Sequence, residues 1–258
     1  MNNYKFLREY LDLQKGIVFD ELLDLPFATV GYNKNDSAVN LNFTLTDKVL
    51  SETELAKLEE KFKEINRVPA VYFENRIDLV ALGGFLNKHG YKKTNEDSWM
   101  FYEDTVLYRA SFESLKQVEN EKDLKIFLQT FRDSYRDEKE AKLPLGLDDY
   151  LKLLQKVWKE HPASDRIEFF LAFRGDEPVA VATLTNYGGI GYISNVGSMP
   201  RVRGEGYGRT VTLYCVYKSM EHKNTFHCLV TEEGTHPHDF YSQLGLRTHF
   251  LAPLYVKS

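Results

Sequence analysis

The chain has 258 residues, enough for one large domain or two modest ones, and its 43% hydrophobic, 14% aromatic and 28% charged composition is that of an ordinary globular protein. No apolar run approaches the ~20 residues needed to span a bilayer, and residues 1–10 interleave Lys5, Arg8 and Glu9 with apolar side chains; neither a membrane segment nor a signal peptide is expected, and a cytoplasmic location is. The net charge of -5 divides into 14 basic against 18 acidic side chains in residues 1–110 and 19 against 20 in residues 111–258, so no basic face for nucleic acid is implied. Cys215 and Cys228 each sit in an apolar segment and read as reduced core thiols, not as a disulfide framework.

In chain order, residues 38–46 alternate as a strand, and Ser51-Glu-Thr-Glu54 has the spacing of a capping box that opens a helix to about Asn66. A strand at 68–73, a helix running into Phe85 to Tyr91 and a strand at 98–102 follow. After a boundary near residues 108–112, a strand is expected at 115–119, then a helix capped by Asn120 and a second helix at 147–158. Strands at 167–173 and 179–185 flank Arg174-Gly-Asp-Glu-Pro178, whose Gly and Asp mark a hairpin turn, and a third strand fits 190–198. A glycine-rich loop, a helix at 210–221, a strand at 225–231, a helix at 239–244 ending at Gly245 and a strand at 249–256 complete the chain. Phe85 to Gly90 and Phe240 to Gly245 have the same separation, each between a helix and a final strand. This echo points to duplication of one α/β unit, with domains at 1–110 and 111–258.

The most informative stretch is NVGSMPRVRGEGYGRT, residues 195–210, placed between a strand and a helix. Glycines at 204, 206 and 208, directly before a helix, let successive backbone N–H groups converge on an anion while the helix dipole adds partial positive charge. Arg203 and Arg209 add donors suited to phosphate oxygens. A Walker loop would need Gly-Lys-Ser/Thr where Gly208-Arg209-Thr210 stands, and a dinucleotide fingerprint would need Gly-x-Gly-x-x-Gly, a register that Gly204-x-Gly206-x-Gly208 lacks.

The stretch resembles the pyrophosphate loop of the GNAT (N-acetyltransferase) superfamily, Arg/Gln-x-x-Gly-x-Gly/Ala, with Arg203, Gly206 and Gly208 in the pattern and Pro200 three residues before the arginine. The resemblance covers about 140 residues and agrees in element order. It implies an α/β fold of the α+β type, a mixed, mostly antiparallel sheet flanked by helices, here in two GNAT-like units. It also implies acetyl-CoA as co-substrate and no metal. Pantetheine contacts would come from the strand at Val196 and Ser198, and diphosphate contacts from Arg203, Gly204, Glu205, Gly206, Tyr207, Gly208 and Arg209. Tyr241, four residues before Gly245, falls where the family's Tyr-x-x-x-Gly-Phe motif places the tyrosine facing the CoA sulfur, although Leu246 replaces the usual Phe. The first half departs from the pattern: its corresponding connection, Asp47-Lys-Val-Leu50, has no glycine, so it reads as a degenerate copy without a phosphate loop.

The reading these residues support is an acetyl-CoA-dependent N-acetyltransferase acting on a primary amine of a small molecule or peptide. Acetyl transfer needs a deprotonated amine, donors for the developing oxyanion and a proton for the departing thiolate. The oxyanion donor implied by the resemblance is a backbone amide of residues 195–198. The general base is not identifiable: the strand at 190–198 has no carboxylate, while Glu232, Glu233, His236 and His238 follow the next strand as loop residues that could line the cleft. His236-Pro-His238 has no nearby cysteine to complete a metal site. An acyl-CoA sensor without turnover would keep the loop and tolerate loss of Tyr241. An aminoacyl transferase of the tandem type would not need the diphosphate loop, and is disfavoured for that reason. The acceptor and the oligomeric state are not encoded in any recognisable motif.

Overall fold

The computed structural model describes residues 2–104, 107, 112–136, 146–161 and 166–258. The boundary expected near residues 108–112 falls, apart from Phe112, outside them. The elements in chain order are α1 (Asn3–Gln14), β1 (Glu21–Leu25), β2 (Ala28–Tyr32), β3 (Phe43–Leu45), α2 (Glu52–Glu64), β4 (Ala70–Tyr72), α3 (Val80–Lys88), β5 (Tyr91–Tyr102), β6 (Leu115–Gln117), α4 (Glu121–Ser134), α5 (Leu147–Glu160), β7 (Ile167–Arg174), β8 (Glu177–Tyr187), β9 (Ile190–Ser198), α6 (Tyr207–Glu221), β10 (Phe226–Glu232), α7 (His236–Gln243) and β11 (Leu246–Lys257).

Two compact units result: Met1–Met100 with Val230–Phe240 and Thr248–Ser258, and Phe101–Leu229 with Tyr241–Arg247. The first has strand order β1-β2-β3-β4-β11-β5 and the second β10-β9-β8-β7-β6. Each is a mixed sheet with a parallel pair, β3–β4 in one and β9–β10 in the other. Antiparallel pairing joins β1–β2, β2–β3 and β4–β11 in the first and β6–β7, β7–β8 and β8–β9 in the second. From Thr248 on, the last strand belongs to the first unit, where Leu254 pairs with Tyr72 and Val256 with Ala70. The compact units therefore do not follow a simple division of the sequence at residue 110.

In the first unit α2 and α3 bury Leu55, Leu58, Phe62, Leu82 and Leu86 with Val30 and Val71. The sequence reading leaves α1 and the β1–β2 hairpin without elements; α1 adds an aromatic layer in which Phe6 meets Trp99 edge-on at 5.4 Å and Trp99 stacks on Phe250 at 5.9 Å. The strand expected at 38–46 is cut short. Asn42, 1% exposed, donates to the carbonyls of Asp36 and Ala38 and accepts from the Asn33 amide, which holds Val39–Leu41 as a 3-10 turn and leaves only Phe43–Leu45 extended.

The second unit is layered. Successive residues of β7 point to opposite faces: Phe169 meets Phe127 of α4 at 5.0 Å, and Phe170 meets Tyr214 of α6 at 5.1 Å. The strand is covered by a helix on each side, which is why 167–172 reads as a continuous apolar run broken only by Glu168. The turn at Gly188 and Gly189, both with positive φ (58° and 83°), closes the β8–β9 hairpin. Two helices start earlier than expected, α6 at Tyr207 and α7 at His236, so His236 and His238 lie on a helix and not in a loop.

Candidate active site

The strands β9 and β10 are paired for three residues only, Ile190–Tyr192 with Phe226–Cys228, while β9 continues to Ser198. Beyond Tyr192, among the described residues, the edge of β9 facing away from β8 has no strand partner, the kind of edge to which an extended ligand can add. On its other edge β9 carries a bulge: Val181 pairs with Gly197 but Thr183 pairs with Ser194, so β9 has one residue more than β8 across this interval. The chain accommodates it with Asn195 in the left-handed region at φ 54°, a conformation asparagine tolerates better than most residues. The Asn195 side-chain amide donates to Thr183 Oγ1 at 2.7 Å, and its carbonyl accepts from the Tyr150 hydroxyl at 2.8 Å.

Gly197 is needed for a separate reason. A Cβ there would lie 2.2 Å from Ser134 Oγ and 3.0 Å from Ser134 Cβ, so the C-terminus of α4 packs directly on the β9 backbone. Val196 and Ser198, half-buried, flank this contact. The Tyr135 hydroxyl, just past α4, is 3.5 Å from the Val196 carbonyl.

After β9 a 3-10 turn at Pro200–Val202 leads into the glycine loop. Gly204 and Gly206 both have strongly positive φ, 87° and 93°, and a Cβ at either would meet nothing within 4 Å, so the surface over them is open. Gly206 is the N-cap of α6 and therefore offers no side chain to the first-turn N–H groups, and that turn has no acidic residue. The orphan donors and the positive end of the helix dipole are left to an external anion. Arg203 and Arg209 are exposed beside them. Arg203 also donates to the Ser134 carbonyl at 2.9 Å, tying the loop to the end of α4, while Glu205 faces Arg174 at 3.6 Å.

The equivalent position of the first unit is built the opposite way. Ser51 Oγ accepts from the Glu54 amide and the Glu54 carboxylate accepts from the Ser51 amide at 2.9 Å. That amide, with the hydrogen bond from Lys48, holds Glu54 down at a pKa of about 2. The first turn of α2 thus already contains its own anion, with Glu52 beside it, and would repel a diphosphate.

Tyr241 lies on α7, half-buried, and burial, followed by the neighbouring Tyr135 and Cys215, pushes its phenol above the ordinary value of 10. Tyr135 is thus close in charge terms to Tyr241 and close in space to Val196. Gly245 ends this stretch at φ 97°, and the fully buried Leu246 begins β11. Of the other candidates, Glu232, Glu233 and His238 have partners in the first unit. His238 Nε2 is 3.0 Å from Thr248 Oγ1 and 3.4 Å from the Glu233 carboxylate, and the Glu233 amide donates to the Glu96 carbonyl. Glu232 raises the pKa of Asp97, whose shift comes mainly from burial. Cys215 and Cys228 are both buried, unpaired thiols with pKa values raised by burial. Among the described residues no group of three or more His, Cys, Asp or Glu side chains is arranged to hold a metal, and no helix is long and apolar enough to cross a membrane.

The sequence reading uses residues 195–198 only for a backbone amide, and the side-chain roles of Asn195, Thr183, Tyr150 and Ser134 and the close approach at Gly197 are absent from it. The one local signal for them is Asn195 and Gly197 within the strand, residues that mark a bulge or a close backbone approach.

Comparison with known proteins places this geometry in context. Residues 127–246 match the model of the Acetyltransferase (GNAT) family. No curated protein matches the chain by sequence. Among solved structures, the chain is similar to a GCN5-related N-acetyltransferase from Kribbella flavida, with a TM-score of 0.70 and 14% identity over 98% of this chain and 95% of that one. It is also similar to a functionally unknown conserved protein from Staphylococcus epidermidis, with a TM-score of 0.66 and 13% identity over 93% and 94%. A third similar structure is a tandem GNAT protein from the clavulanic acid biosynthesis pathway, with a TM-score of 0.58 and 9% identity over 89% and 77%. At these identities the likeness is one of fold, and it extends over nearly the whole chain.

Proposed function

From the premise that residues 127–246 are an acetyltransferase domain of the GNAT family, we propose that the chain is an acetyl-CoA-dependent N-acetyltransferase with one cofactor site, in the unit that holds α6. The observation that carries this reading is the glycine N-cap of α6, open to an external anion, beside an unpaired stretch of β9. Gly204, Gly206, Tyr207, Gly208 and Arg209 would receive the diphosphate on backbone N–H groups, while the Glu205 amide, expected to join them, donates to the Val202 carbonyl and shapes the loop instead. Arg203 would contribute its remaining donors while it holds the loop to α4. Val196 and Ser198 would pair with the pantetheine amides as an added strand does.

In the reaction the acceptor's primary amine attacks the thioester carbonyl carbon, the C–S bond breaks, and the amine proton leaves to solvent or to the thiolate. The backbone amides around the β9 bulge are the donors nearest to where the oxyanion forms in this reading. The raised pKa of Tyr241 keeps its hydroxyl protonated across the physiological range, which suits a hydrogen-bond donor to the thiolate. It suits full proton transfer less well, since the thiol's own pKa is near 8.5. Among the described residues the side chains bonded to the bulge at Asn195 are the Tyr150 phenol and the Thr183 hydroxyl, neither of them a base, and in this reading a cationic amine would lose its proton through water. The acceptor is a small molecule or a peptide.

Acetyl-CoA at millimolar concentration should raise the melting temperature of the wild type by mass action, and Gly206→Val should remove the rise, because a β-branched side chain at φ 93° is strained and covers the loop. A mass-spectrometric screen of amines then reads turnover. A wild type with no thermal shift would overturn the assignment.

A further inference from the structure

The bulge in β9 is held by side chains that the reaction itself does not require. Asn195 sits in the left-handed region, where a non-glycine residue persists only if its surroundings fix it. Both ends of its amide are engaged: Oδ1 accepts from Tyr150 at 2.8 Å and Nδ2 donates to Thr183 Oγ1 at 2.7 Å. Thr183, fully buried, passes the hydroxyl proton on to the Ser194 carbonyl at 3.0 Å, with Ser194 Oγ 2.9 Å away. The three bonds run in one direction, from phenol to amide to hydroxyl to backbone carbonyl, so each strengthens the next. Tyr150 is the only member outside the β8–β9 pair. It lies on α5, its ring 6.1 Å from that of Phe131 of α4, and burial holds its pKa up at about 12, so it remains a donor at any working pH.

We infer that Tyr150 is a positioning residue for acyl transfer: through Asn195 and Thr183 it fixes the bulged backbone of β9, so that the N–H groups at the bulge keep one orientation toward the thioester carbonyl. The inference rests on the acyl-CoA reading above and adds to it a residue on a different helix. Without the phenol the Asn195 amide is anchored at one end only, the bulge can relax toward ordinary strand pairing, and the donors move by a fraction of an ångström, enough to weaken a preorganised contact.

The test is the carbonyl stretch of bound acetyl-CoA labelled with 13C at the acetyl carbonyl, read by isotope-edited infrared spectroscopy, with affinity from titration calorimetry. Wild type should bind and shift the band below that of free acetyl-CoA. Tyr150→Phe should keep the near-ultraviolet dichroism of the wild type and bind within about threefold, with the band returning at least halfway to the free position. Asn195→Asp, which keeps tolerance of the left-handed conformation but loses the donor to Thr183, should do the same. A band in both folded variants that superimposes on the wild type's overturns the inference, as does loss of binding by a folded Tyr150→Phe. A wild type that binds with an unshifted band overturns it while leaving acyl-CoA binding intact. A wild type that does not bind overturns both.

Discussion

At the scale of single residues, two positions are tested by opposite substitutions, one removing atoms and one adding them. Tyr241→Phe retains the half-buried ring and removes a hydroxyl that burial keeps protonated. Folding and acetyl-CoA affinity should change little, and kcat should fall by about 10²-fold if the hydroxyl stabilises the departing thiolate. A kcat within about threefold of wild type would make Tyr241 a packing residue. Because its pKa lies above 10, no descending limb below about pH 10 in the rate profile should trace to it. Gly197→Ala works in the other direction. The added methyl would stand 2.2 Å from Ser134 Oγ and 3.0 Å from Ser134 Cβ, with the Tyr135 ring at 3.5 Å, so α4 or β9 must shift. A loss of about 1–3 kcal/mol is expected from such overpacking, measured by urea unfolding, together with weakened acetyl-CoA binding, since Arg203 anchors the loop to the same Ser134. Unchanged stability would show that α4 yields freely.

Among the elements, α2 and α6 illustrate how one strand–loop–helix plan gives one helix start left open at a glycine and one closed by its own carboxylate. Each follows a strand of a parallel pair, β3 and β9. The helix after Gly206 begins with open N–H groups, whereas Ser51 and Glu54 close the first turn of α2 with a carboxylate held at a pKa of about 2. Titration calorimetry should therefore give one CoA per chain. A stoichiometry near two would mean that the capping box opens for a ligand. Ser51→Ala should lower stability by about 1 kcal/mol, as loss of an N-cap does, without creating a second site, because Glu52 and Glu54 remain.

For the whole molecule, pH provides the sharpest global test. Burial raises the phenols of Tyr72, Tyr91, Tyr150 and Tyr241 and the thiols of Cys215 and Cys228 above their ordinary values. Between the unfolded values, about 8.5 for the thiols and 10 for the phenols, and the folded ones, the unfolded chain has lost protons that the native chain retains. Stability from these groups is complete below about pH 8.5 and is lost as pH rises, reaching Tyr150 at about 12. Urea midpoints should be level from pH 7 to 8.5 and fall steadily toward pH 11, and a rise over that range would contradict the burial of these groups.

Much of this protein follows from short-range pattern. The glycine loop, the element order of the second half and the capping box at Ser51 were all readable because each depends on residues within one or two turns of one another: positive φ at Gly204 and Gly206, alternation in β9, and Ser51 three positions before Glu54. The expected GNAT fold holds over nearly the whole chain, since it is the sum of such local choices and of their burial. Tertiary contacts settled the remainder. Asn42 turned half of an expected strand into a 3-10 turn by reaching carbonyls at Asp36 and Ala38, and β11 crossed to pair with β4, more than 180 residues away. The bulge at Asn195, its support from Tyr150 and the close approach of Ser134 to Gly197 depend on partners 12 to 63 positions distant. No local periodicity encodes such pairings, because they arise only when the sheet has closed and its helices have packed on it.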